Sequence, residues 1–553
     1  MKKTTLLLIL VILLAIILRF FQLGSVPPSP DWDEVALGWN GYSIMMTGKD
    51  EYGKFLPVVL RSFDDYKPAL YAYLTIPFTA LLGLTTMATR MPSAVFGVLT
   101  VLATYLLIKE ISKKEYLALL VAFLLAISPW HIQFSRIAFE TNVGLSFNVF
   151  MALFFIKGLK KPGLLSLSAI SAALSIYTYQ SEKVFTPLLA LGLVIIYAKE
   201  LLELPRKYLI FALIAGVIAI APMAHYIITN EESLLRAKAT IAFSEQNFLN
   251  RNIQRLEADI SENNILGKIL DNRRVVYGIT IASGYLSHMN LNWLFIEGDL
   301  QRHHAPQMGI LYLWEFPFVF IGIYSLIFTS GSWFKKKKSA LFIFLWFLLA
   351  AAPASITSGV PHAVRTLNFL PTFQVFTAIG LVTVVGYLVQ KKYLSFNSLN
   401  IKSLAIITSF IFIFSVNFLF YLNQYFVQQN YFYSYDWQYG HEEAVAYVKS
   451  IESKYDKIVL TEEEPMDQAY MFYLFYLKYS PEKYQMESKT TSGGFEDNHN
   501  FDKYEFRPIN WKEEVKDSKT LYVGRPSDFS SGAKILKVIK YLNGEQAIII
   551  VEG

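Results

Sequence analysis

The sequence predicts an α-helical polytopic membrane protein with about eleven transmembrane helices, interfacial helices in a large first outer loop, and a small C-terminal α/β domain outside the cytoplasm. Three observations predict it. Of the 553 residues, 54% are hydrophobic and only 17% charged, against about 25% charged in an ordinary soluble domain. Apolar stretches of membrane length recur along the first four-fifths of the chain. Between them, lysine and arginine gather at every second junction, the pattern left by retention of positive charge in the cytoplasm. The net charge of +6 sits mostly in those clusters, so it reads as topology control and not as a nucleic-acid surface. With no cysteine in the chain, disulfides, thiolate metal sites and thiol catalysis are excluded.

The apolar spans fall at 4–23, 91–108, 115–130, 142–157, 163–178, 184–198, 208–229, 307–329, 339–357, 366–388 and 402–424. The first resembles a signal peptide, but Arg19-Phe-Phe-Gln follows it in place of a small-residue cleavage site, so it is read as an uncleaved helix. Placing Lys2/Lys3, Lys109/Lys113/Lys114, Lys157/Lys160/Lys161, Lys199/Arg206/Lys207, Lys335 to Lys338 and Lys391/Lys392/Lys402 inside gives one consistent topology. The N-terminus is then inside and the C-terminal domain outside, in the plasma membrane. Residues 69–88 are also apolar, but a crossing there would invert the next clusters. They are read as an interfacial or re-entrant helix pair broken at Pro77 and Gly83. The domains are then 1–425 in the membrane and 426–553 outside. In the second, 441–451 and 467–479 read as helices, and 457–461, 520–524, 535–542 and 547–552 as strands.

The polar chemistry lies on the outer side. Asp31, Asp33 and Glu34 follow the first span directly. Such a cluster can supply a general base, or can simply cap a helix over 34–46. Lys67 precedes a proline and an aromatic run at the interface, where a lysine can meet a lipid phosphate or merely snorkel. Arg136 and Glu140 are four apart and can pair on one helix face. Glu182 and Lys183 occupy a very short loop. Glu297, Asp299, Arg302, His303 and His304 crowd a later one, and His362 and Arg365 lie near the ninth and tenth spans. Adjacent histidines project to different faces, so His303/His304 is a weak metal signal. Acids and cations around one face suit an anionic lipid-linked substrate and a catalytic carboxylate.

In their order and common side, DWDEVALGWN, KPALY, RMPSAVFG, SPWHIQFSRIAFE, GDLQRH and PHAVRTLNFLP resemble the multi-spanning C-type-fold glycosyltransferases that use polyprenyl-phosphate sugars. Within that group it looks like the dolichyl-phosphate-mannose protein mannosyltransferases and the lipid A aminoarabinose transferases. The resemblance spans roughly residues 1–425. It implies an acidic base at Asp33 with Glu34 beside it, and a second acid at Glu140, where the family often has Asp. It implies that Lys67 contacts the carrier phosphate, with Arg365 a further cation near it. Arg136, Lys183, Arg302, His303 and His362 complete the expected carrier-phosphate and sugar set. No cofactor is required; a divalent cation on Asp33, Glu140 and His303 is the alternative. The expected activity is transfer of a hexose or pentose from undecaprenyl- or dolichyl-phosphate to a hydroxyl of a lipid, glycan or protein, within the bilayer and without nucleic acid. A polysaccharide polymerase or O-antigen-ligase-like enzyme, and a lipid-linked sugar transporter, are the competing readings.

Overall fold

The computed structural model describes residues 3–63, 65–230, 241–242, 249–395, 400–487 and 499–553. Helix α1 (Lys3–Phe20) leads into α2 (Trp32–Thr47), then a short hairpin of β1 (Val59–Ser62) and β2 (Asp65–Pro68), and α3 (Leu70–Leu82). The bundle continues with α4 (Thr86–Ile111), α5 (Glu115–Ile127), α6 (Pro129–Ser135), α7 (Glu140–Gly158), α8 (Leu164–Ile176), α9 (Glu182–Ile196) and α10 (Arg206–Thr229). After α11 (Arg273–Ser287) come α12 (Glu315–Trp333), α13 (Lys337–Ala350), α14 (Thr372–Gln390) and α15 (Ile401–Asn423).

All eleven expected stretches contain helix, but the count of eleven crossings does not follow from length. Among the described residues, eight helices are long and apolar enough to cross a membrane, or nine if α5 and α6, bent by 60°, form one broken span. The bend falls at Ser128-Pro129, where the Ser128 hydroxyl accepts from the backbone N–H of His131. Helices α8 and α9 have only 13 and 15 residues. Residues 70–82 form one 13-residue helix and not a pair. Pro77 lies within it, and the break falls at Gly83, whose φ of +72° suits a residue without Cβ. Its length is short of the roughly 20 residues a crossing needs.

Burial orders the bundle. The apolar window of α7 is 78% buried, against 11% for α10 and 6% for the last helix. Helix α7 is therefore the hub, and the other two present apolar side chains outward, as lipid-facing helices do. The last helical run continues to Phe432, past the expected boundary near 425. It leads into a five-stranded sheet with β3 (Lys457–Leu460), β4 (Tyr504–Phe506), β5 (Thr520–Gly524), β6 (Lys534–Lys540) and β7 (Gln546–Glu552) in the order β4-β3-β5-β7-β6. Helices α16 (His441–Ile451) and α17 (Ala469–Tyr476) pack on it.

This sheet domain is not a loose appendage. Helix α2 lies between it and the bundle: Val35, Ala36 and Trp39 share one apolar core with Phe472, Phe475 and Tyr484. On its other side a Cβ at Gly41 would fall 2.1 Å from Thr75 Oγ1, so only glycine lets α2 approach α3 this closely. Polar links complete the seam. The Tyr470 hydroxyl donates to Glu51 at 3.0 Å, and Gln485 Nε2 donates to the Asp50 carbonyl at 2.9 Å.

Glu51 makes this seam pH-sensitive. Burial lifts its carboxyl from an ordinary 4.5 to about 8, against the opposing hydrogen bonds from Tyr470 and Asn40. The folded protein therefore keeps a proton that the unfolded chain releases, and stability falls as pH rises from about 4.5 to about 8. Between pH 6 and pH 9 the thermal midpoint is expected to drop by several degrees more in the wild type than in Glu51→Gln. Equal drops in the two proteins would remove Glu51 as the cause.

Candidate active site

Helix α2 starts where it does because Asp31 caps it. The Asp31 side chain accepts from Glu34 N at 2.9 Å, and the Glu34 side chain accepts from Asp31 N at 3.3 Å, the reciprocal pair of a capping box. This cap sets Asp33 on the first turn. The β1–β2 hairpin, with Leu60 opposite Lys67, delivers Lys67 to the same place, and the Lys67 ammonium is ion-paired with Asp33. Glu140 opens α7, where the helix dipole favours an acid.

These residues meet in one cavity of about 190 Å³, whose wall includes Asp33, Lys67, Glu140, Arg302, His303 and His362. Tyr179 and Gln180 close one side of it. Gln180 is held by donating to the Tyr66 carbonyl at 2.7 Å, next to Lys67. Arg302 donates to Asp31 Oδ2 at 2.6 Å and lies 4.4 Å above the Trp32 ring. The sheet domain braces this arrangement, because the Gln438 side-chain oxygen accepts from Trp32 N at 3.0 Å.

The electrostatics are those of a mixed-charge site shielded from water. Burial lifts the Asp31 carboxyl to about 6 against the pull of Arg302, and Asp33 and Glu34 lift it further. Burial works against the Lys67 ammonium, but Asp33, Glu140 and Asp31 outweigh it and hold the proton above its ordinary range. Lys67 is thus a firmly charged cation among carboxylates.

The remaining expected site residues lie elsewhere. Glu34 is fully buried outside the cavity wall, receiving two hydrogen bonds of 2.8 Å from Arg90 and one of 2.8 Å from Ala138 N. Arg136 does not pair with Glu140, because α6 ends at Ser135 and α7 starts only at Glu140. Its guanidinium donates to the carbonyls of Leu18 and Val26 and rests on the Phe426 ring, tying α1 to the last helix. Lys183 is not part of the wall, and Glu182 turns inward to accept from Asn148 and Asn368 at 2.6 and 2.7 Å. Arg365 braces its own loop through Thr357 and Ser358. The set Asp33, Glu140 and His303 does not form a metal-binding group. Among the described residues, the group close enough to hold an ion is Asp299, His303 and His362. Three features were missed in the sequence: the Asp31–Arg302 pair, the Trp32 platform and the tie from Gln438. Each joins residues hundreds of positions apart, and only the Asp299–His303 spacing left a local signal.

The fold and the cavity together define a polytopic membrane protein with an acid- and base-lined recess and a small sheet domain packed against helix α2. Residues 66–226 match the dolichyl-phosphate-mannose-protein mannosyltransferase family. Among solved structures the fold is similar to that of ArnT from Cupriavidus metallidurans in the apo state, with a TM-score of 0.56 at 11% identity, covering 99% of this chain and 98% of that one. ArnT bound to undecaprenyl phosphate matches with a TM-score of 0.54, also at 11% identity. An Archaeoglobus fulgidus oligosaccharyltransferase tethered with an acceptor peptide matches with a TM-score of 0.50 at 13% identity. That match covers 86% of this chain, which spans 63% of the archaeal protein's length. No curated protein matches the sequence. The resemblance read from the sequence to the C-type-fold glycosyltransferases thus has beside it a family match over residues 66–226 and a shared fold.

Proposed function

We propose that the protein is a glycosyltransferase that moves a sugar from a polyprenyl-phosphate carrier to a hydroxyl acceptor by a single inverting displacement. The observation that carries this reading is the cavity, which sets the carboxylates Asp33 and Glu140 beside the cations Lys67 and Arg302. The family match and the fold shared with ArnT support it. The cavity is lined by residues 33, 67–68, 139–140, 179–180, 300, 302–303, 362 and 364. All fall between, and never within, the basic clusters. We therefore place this face outside the cytoplasm, with the N-terminus inside and residues 426–553 covering the site as a second domain.

In the reaction, an acceptor hydroxyl oxygen attacks the anomeric carbon while the bond from that carbon to the carrier phosphate breaks. Asp33 takes the hydroxyl proton. The phosphate leaves with the bonding electron pair, gaining one negative charge that Lys67 and Arg302 stabilise. The Asp33–Lys67 pair makes the order of events sensible. Lys67 holds Asp33 as an ion pair; a carrier phosphate competes for the ammonium and loosens the base for its proton transfer.

Lys67→Ala is expected to weaken donor binding by about tenfold or more, as loss of a charge-assisted phosphate contact does, and to slow the transfer step as well. Binding isotherms with a polyprenyl-phosphate sugar and single-turnover rates separate the two effects. Unchanged donor affinity would take Lys67 out of the phosphate site.

A further inference from the structure

Two histidines on the cavity wall, His303 and His362, are not used by this chemistry. Gly298, at φ +80°, turns the chain so that Asp299 and His303 face each other across one short 3-10 turn. Their Oδ2 and Nδ1 atoms are 2.9 Å apart. Asp299 Oδ2 also accepts from Ala363 N at 2.6 Å, which draws the loop carrying His362 onto the pair. His362 N in turn donates to His288 Nε2 at 3.1 Å. The His303 ring is wedged against Phe134 and Phe139, with centroids 5.8 and 6.0 Å away, and lies 5.0 Å from the His362 ring. One ligand atom from each of Asp299, His303 and His362 lies within 4.8 Å of the others. Ligand atoms around one zinc ion, each about 2 Å from the metal, stand roughly 3–4 Å apart, so small side-chain rotations close the set. A second observation points the same way. His362 Nδ1 is buried with no hydrogen-bond partner among the described residues, an unsatisfied state that normally costs stability and that a cation would relieve.

We infer that Asp299, His303 and His362 form a binding site for a divalent cation of the zinc class, with its open coordination position on the cavity. Two imidazoles and one carboxylate with a free fourth position are the donor set of a zinc site that can still take an external ligand. His303 and His362 both reach the cavity wall that carries Lys67, so the external ligand is an oxygen of the substrate held there. This last step rests on the proposed transfer reaction; the metal site itself does not. His304, adjacent in sequence, is not a ligand: its Nδ1 is engaged with the Leu300 carbonyl at 3.2 Å.

The test uses untagged full-length protein in detergent, stripped with a chelator and titrated with Zn²⁺ alone, with bound metal counted by mass spectrometry. The wild type and His304→Ala are expected to bind one equivalent. His303→Ala and His362→Ala are expected to bind roughly tenfold or more weakly. Because either variant can misfold, X-ray absorption of the zinc-loaded wild type gives an independent reading, with two imidazoles expected around the metal. No stoichiometric zinc in the wild type, equal binding by folded His303→Ala and His362→Ala, or a shell without two imidazoles would each overturn the site. The titration contains no sugar donor, so its failure leaves the transfer reading standing, and failure of transfer leaves the metal result standing.

Discussion

Asp33→Asn is expected to lower turnover by about 10²–10⁴-fold, the range for a positioned acid–base group, while donor binding is kept. Asparagine preserves the shape and the hydrogen-bonding oxygen but cannot accept the acceptor's proton at neutral pH. It also dissolves the ion pair with Lys67, so the freed ammonium binds the carrier phosphate at least as well as before. The signature is therefore a split: kcat falls while donor affinity holds or improves. That split separates a catalytic Asp33 from one that merely keeps Lys67 in place, because a positioning role would weaken donor binding instead. Rapid-quench measurement of product at saturating donor, with binding measured in parallel, reads both quantities. Near-normal turnover by folded Asp33→Asn would remove it as the base and leave Glu140, on the same cavity wall, as the remaining carboxylate.

The largest loss of stability is expected at Arg90. Its guanidinium is fully buried. It makes two 2.8 Å hydrogen bonds to Glu34, donates to the carbonyls of Leu23, Pro27 and Ser29 at 2.7–3.1 Å, and lies 5.9 Å from the Trp437 ring. One side chain thus joins the end of α1, the capped start of α2, the entry to α4 and the strand of chain leading to the sheet domain. Removing one partner of a buried ion pair strands the other charge, at a cost of about 3–5 kcal/mol. Arg90→Met is expected to lower the yield of folded protein sharply and to reduce the thermal midpoint of what remains. Glu34→Leu/Arg90→Met should recover only part of the loss, since three backbone carbonyls still lack their donor. A midpoint within a degree or two of wild type for Arg90→Met would show that this junction does not hold the first loop.

How far the sequence reached depends on whether the signal was local. The acidic cluster at 31–34 offered a helix cap for 34–46 as one of two readings, and a helix does start there, at Trp32 behind the Asp31 cap. The helix at 441–451 and the strand at 520–524 lie where their residue patterns placed them, because hydrophobic periodicity is read within one element. Strand β4 escaped notice because three residues carry too little pattern to read. Arg136 and Glu140 looked like a helical pair from their spacing alone. The break after Ser135 sends them to different surroundings, and spacing cannot reveal a break that tertiary packing imposes. Glu182 looked like a loop acid but is the hydrogen-bonded hub of α7, α8, α9 and the turn at Leu367–Phe369. A buried acid of this kind is distinguished only by the partners that several helices bring to it. Asp33 and Lys67 were both singled out in the sequence, yet their contact arises from a hairpin that folds the loop back on α2.

The proposed reaction breaks, in this cavity, the bond between a sugar and its carrier phosphate. It is tested most directly by incubating the purified protein in lipid vesicles with polyprenyl-phosphate sugars labelled in the sugar and in the phosphate, together with a hydroxyl acceptor. Sugar label is expected on the acceptor with inverted anomeric configuration, with free polyprenyl phosphate accumulating in equal amount, and Asp33→Asn is expected to produce neither. Movement of intact donor across the bilayer with no cleavage would contradict it and make the protein a transporter of the same lipid.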